Sequence, residues 1–65
     1  MTDNFTTASA AAHRCARRLL KQGVPPTVAA DGLIAQGLAL WAAETGRHED
    51  AAAALVAWTL IRDAA

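Results

Sequence analysis

One cysteine, Cys15, is all the chain has, so no internal disulfide can staple it. A lone thiol also suits a reducing compartment. Aromatic side chains are scarce: Phe5, Trp41 and Trp58 are the whole set. No aromatic nucleic-acid motif can be assembled from them, and no glycine-rich loop is present to cradle a phosphate. Net charge is zero, which removes the polyelectrolyte signal for nucleic acid or membrane. A long hydrophobic run is missing too. The longest stretch, residues 28–43, is interrupted by Asp31 and Gln36 and falls short of the ~20 apolar residues of a membrane span. The start, residues 1–5, lacks the basic flank and apolar run of a signal peptide. A cytoplasmic location follows as the expectation, with alanine richness fitting a bacterial or phage source.

Sixty-five residues make one domain at most. Such a chain buries only about 60% of the surface it exposes unfolded, and its core rarely supplies more than about 3–5 kcal/mol. With a disulfide excluded and no metal motif in view, a partner or oligomerisation is the remaining support.

Hydrophobic residues make up 54% of the chain, and eighteen of them are alanines. Alanine is the strongest helix former and has little side-chain area to bury. The composition predicts closely packed helices around a thin core. Glycines mark the breaks. The first helix begins after Asp3, Asn4, Thr6 or Thr7, all good N-caps, and stops at Gly23. Pro25-Pro26 opens the second, with Val24 and Val28 spaced for a hydrophobic staple. Gly46 ends it. Glu49 and Asp50 fall in the first turn of the third, where the helix dipole favours acids. The fold class is therefore all-α: a small three-helix domain with helices at about 5–22, 26–45 and 48–63 and residues 1–4 frayed.

Projected at about 100° per residue, the three segments differ. The first is amphipathic. Phe5, Ala8, Ala12, Cys15, Ala16, Leu19 and Leu20 form one stripe, expected to be buried. His13, Arg14, Arg17, Arg18 and Lys21 form the opposite, basic face. In the second, Leu33, Ile34, Leu38, Leu40 and Trp41 spread over half the circumference. Gly32 and Gly37 interrupt it, each costing about 1 kcal/mol of helix propensity, and close approach of another helix is the expected reason. The third is apolar nearly all round, through Leu55, Val56, Trp58, Leu60 and Ile61. A helix of that kind belongs in the middle of a larger assembly.

The second and third segments resemble one unit of the tetratricopeptide repeat family. Leu38 and Ala39 match the Leu-small pair of its first helix. The run Gly46-Arg47-His48-Glu49-Asp50-Ala51 resembles its turn and second-helix start, and Leu55 sits where a large residue packs back. The likeness covers about half the chain. It departs from the pattern at Ala35, where a large aromatic is usual, at Trp58, where a small alanine is usual, and in lacking a closing proline. Repeats of this kind need neighbours to bury a continuous core. The resemblance thus implies protein–protein interaction, and one copy cannot make the family's peptide-binding groove.

No residues come forward for catalysis. His13 and Cys15 point about 200° apart on a helix and cannot share one ion. Zinc wants three or four ligands, and His48 is the only other histidine. Cys15, on the apolar stripe, reads as a small buried thiol. Glu49 and Asp50 already have a helix-start role. Asp31 reads as a partly exposed acid near a helix start. Trp41 and Trp58 read as core, or as interface anchors.

No enzyme activity and no cofactor or metal is expected. Charge is polarised along the chain: residues 1–23 carry +3 and residues 24–65 carry −3. The functional expectation is a small helical interaction module. It would self-associate or serve as an accessory or inhibitory subunit, with Leu33, Leu40, Trp41, Val56, Trp58 and Ile61 as its apolar interface. The alternative is a dimeric nucleic-acid-binding regulator that uses the basic face of the first helix. No membrane partner is expected.

Overall fold

The computed structural model describes residues 3–64. Among them are three helices and no strand: α1 Asn4–Lys21, α2 Pro26–Thr45 and α3 His48–Ala64. Each boundary falls within one residue of the expectation, because each is set by local chemistry. Asp3 caps α1: its Oδ1 accepts the Thr6 amide at 2.6 Å, and its carbonyl accepts both the amide and the hydroxyl of Thr7 at 3.1 Å. The helix therefore starts inside the segment expected to fray; Met1 and Thr2 lie outside the described residues.

Gly23 (φ +87°) closes α1. Around it the Val24 amide reaches the Leu19 carbonyl and the Gly23 amide the Leu20 carbonyl, both at 3.1 Å. This is a Schellman cap, which satisfies carbonyls the helix end would leave unpaired. Gly46 (φ +74°) ends α2 by a simpler route, its amide donating to the Ala42 carbonyl at 2.7 Å. Pro25 accepts the first helical bond of α2, from the Ala29 amide. That places Ala29, not Val28, one turn above Val24 in the staple position. Ala29 is buried, whereas Val28 is exposed.

The chain divides into two compact units, residues 1–33 and 34–65, with the division inside α2. The first unit joins α1 to the opening eight residues of α2. A helix of 18 residues spans about 27 Å and eight residues about 12 Å, so within this unit α2 matches less than half the length of α1. The stripe expected to be buried is accordingly open. No α1 residue is buried, Ala16 and Leu19 are half-buried, and Phe5 is 79% exposed. Cys15 is an exposed thiol rather than a core one.

In the second unit the rest of α2 accompanies α3. Ala51, Leu55 and Trp58, at helical spacing, form the shielded side of α3. Along α2 the shielded positions are Ala29, Ala30, Asp31 and Leu33 in the first unit and Ile34, Ala35, Leu38 and Ala42 in the second. Together these positions spread round the helix, so the apolar residues of α2 share no single face.

The buried residues are Ala29, Ala42 and Ala51. Nothing larger than alanine is buried among the described residues, so the thin core expected from composition is thinner still. Gly32 and Gly37 do not serve helix contacts within the chain. A Cβ added at either would meet nothing within 4 Å.

Candidate interaction surfaces

The basic face of α1 is fully formed. His13, Arg14, Arg17, Arg18 and Lys21 are all exposed on one helix. Arg14, Arg17, Arg18 and Lys21 line a hollow open to solvent, and His13, Arg17, Leu20 and Lys21 line a second beside it. None of Arg14, Arg17, Arg18 and Lys21 has an ion-pair partner among the described residues. Arg18 and Lys21 in the last turn suit the negative end of the helix dipole.

The apolar candidates separate by exposure. Leu40 is 75% exposed, Ile61 66%, Val56 57% and Trp41 40%, while Leu33 and Trp58 are half-buried. Trp41 is thus not a core residue. Leu60, 67% exposed, belongs with the first group, although spacing alone does not single it out. On α3, Val56, Leu60 and Ile61 lie away from the Ala51–Leu55–Trp58 side.

The turn between α2 and α3 holds an arrangement the sequence pattern does not announce. The Arg47 guanidinium stands over the Trp41 ring, 5.3 Å from its centroid. Its Nε donates to Asp50 Oδ2 at 2.7 Å. The Thr45 hydroxyl donates to the Trp41 carbonyl at 2.8 Å and accepts the Arg47 amide at 3.2 Å. One arginine therefore ties the last turn of α2 to the first turn of α3. Its own carbonyl accepts the first helical bond of α3, from Ala51. Arg47 is an unusual N-cap residue, since its side chain cannot accept from the helix. The only hint in the sequence is the Arg47-x-x-Asp50 spacing beside Gly46. Glu44 and Glu49 flank this corner, both exposed and neither with an ion-pair partner among the described residues.

Asp31 is half-buried and engaged in an interaction of its own. Among the described residues no three His, Cys, Asp or Glu side chains cluster as metal ligands do, and no helix is long and apolar enough to cross a membrane. Asp3 is shifted by its capping role. The backbone hydrogen bond from Thr6 holds its carboxyl below the usual aspartate value.

No protein-family model, curated protein or solved structure matches the chain. The likeness of residues 38–55 to a tetratricopeptide unit therefore stands on residue spacing alone.

Proposed function

We propose that this chain is a small cytoplasmic interaction module, not an enzyme, that self-associates or docks as an accessory or inhibitory subunit. One observation carries the reading: among the described residues no side chain larger than alanine is buried, while Leu40, Val56, Leu60 and Ile61 are each more than half exposed. Covering an aliphatic side chain of this size fully is worth about 1.5–3 kcal/mol. Four partly exposed ones offer roughly 4–8 kcal/mol per copy. Association costs about 4–15 kcal/mol, so two such faces together reach the range needed for a stable contact. Leu33 and Trp58, half-buried, would border that contact rather than anchor it.

Sedimentation or light scattering at micromolar concentration tests the reading. A concentration-dependent mass above that of one chain supports self-association, and a stoichiometric copurifying protein supports the subunit form. A clean monomer with no such partner rejects both.

A second reading is favoured by the four α1 cations that lack ion-pair partners: a nucleic-acid-binding regulator that grips phosphates through α1. It requires salt-dependent binding to duplex DNA or RNA that disappears when Arg14, Arg17 and Arg18 are replaced by alanine. Binding retained in that variant rules it out.

A further inference from the structure

We propose that the basic arc of α1 docks on the acidic α2–α3 corner of a second copy of this chain, an inference that rests on the self-association reading. The chain carries unneutralised charge of both signs, cations on α1 and acids at the α2–α3 corner. Arg14, Arg17, Arg18 and Lys21 are exposed without ion-pair partners among the described residues, and so are Glu44 and Glu49. The third corner acid, Asp50, is already held by Arg47. Residues 1–33 carry four cations against Asp3 and Asp31, a net of +2. Residues 34–65 carry Arg47 and Arg62 against Glu44, Glu49, Asp50 and Asp63, a net of −2. The whole is neutral, so two copies do not repel, and each offers the other what it leaves unpaired. A solvated basic face alone would not call for an equal acidic one in the same chain.

Apolar groups sit inside both patches. Leu20, half exposed, lies in the hollow formed with His13, Arg17 and Lys21. Leu40 lies one helical turn before Glu44 on the same side of α2, and Trp41 carries Arg47 on its ring. Each patch thus sets an aliphatic side chain beside unpaired charge of one sign, the ingredients of a contact with a covered centre and a polar rim. Two different surfaces meet, so each copy offers one to a neighbour and receives the other.

Charge reversal tests the pairing. One variant carries Arg14→Glu, Arg17→Glu and Arg18→Glu, which leaves the arc net negative, the other Glu44→Lys and Glu49→Lys, with circular dichroism confirming that each keeps its helices. In each alone, like charges face each other, and self-association weakens by about 100-fold or more at low salt. In an equimolar mixture one contact is native and the other is reversed on both sides, so association returns. Either variant self-associating as tightly as the original chain overturns the pairing, and so does a mixture that stays monomeric. If the original chain associates and both reversals leave it unchanged, only the pairing falls and the self-association reading stands. An original chain that is monomeric at every salt concentration removes both. Should that monomer bind duplex DNA through the same arginines, α1 serves nucleic acid instead.

Discussion

Alanine at Gly46 and alanine at Gly37 should move stability in opposite directions, although neither site offers a steric obstacle. A Cβ built at either position meets nothing within 4 Å, so backbone conformation alone sets the sign. At Gly46 φ is +74°. An L-residue in that region costs about 1–2 kcal/mol, and a stiffer unfolded chain returns about 0.4–1 kcal/mol. The net expectation is a loss of about 1 kcal/mol. Gly37 lies inside α2, where alanine is preferred by about 0.8–1.0 kcal/mol. In a domain of this size 1 kcal/mol corresponds to about 4–8 °C in Tm. Gly46→Ala should therefore melt lower and Gly37→Ala higher, with roughly 10 °C between them. Thermal unfolding followed by circular dichroism reads this, at one fixed protein concentration because association would shift Tm by mass action. A Gly37→Ala variant that melts lower would refute the reasoning, since something must then stand over that position in solution. An unchanged Gly46→Ala would refute it from the other side.

Two further substitutions probe the caps. Replacing Arg47 with methionine removes both the Asp50 ion pair and the Trp41 contact; both charged groups are well exposed, so the loss should be no more than about 1 kcal/mol. Trp fluorescence should also change, and a double-mutant cycle with Asp50→Asn that shows no coupling would deny the link. Asp3 has a lowered pKa in the folded chain. Its contribution is present above the unfolded aspartate value and disappears as pH falls through the folded one. Asp3→Asn keeps a cap but does not titrate. The variant should therefore lose less helix than the original chain on acidification below about pH 4; identical acid titrations of helicity would contradict the assignment.

Helix boundaries were legible because their causes are local. A carboxylate three residues before a free amide, a glycine able to take positive φ, and a proline pair at a first turn act over one turn of chain. Which residues would be covered was less legible. Periodicity placed Cys15, Phe5 and Leu20 on an apolar stripe correctly, but a stripe is buried only where a neighbour is long enough to lie on it. The basic face of α1 was readable because charged side chains at helical spacing need no neighbour to stay in water. The Arg47 corner was not, since it depends on how α2 and α3 turn around Gly46 rather than on spacing within either helix.

By itself, then, the amino-acid sequence determined three helices, their caps and the polarity of their faces, all through hydrogen bonds and torsions within a few residues. Only the tertiary structure decided what those faces meet. It divides α2 between two units, confines burial among the described residues to Ala29, Ala42 and Ala51, and leaves Leu40, Val56, Leu60 and Ile61 largely in water. The reason is that burial belongs to pairs of surfaces. Alanine-rich helices fold locally from propensity, but their small side chains leave larger groups such as Leu40 and Leu60 largely uncovered.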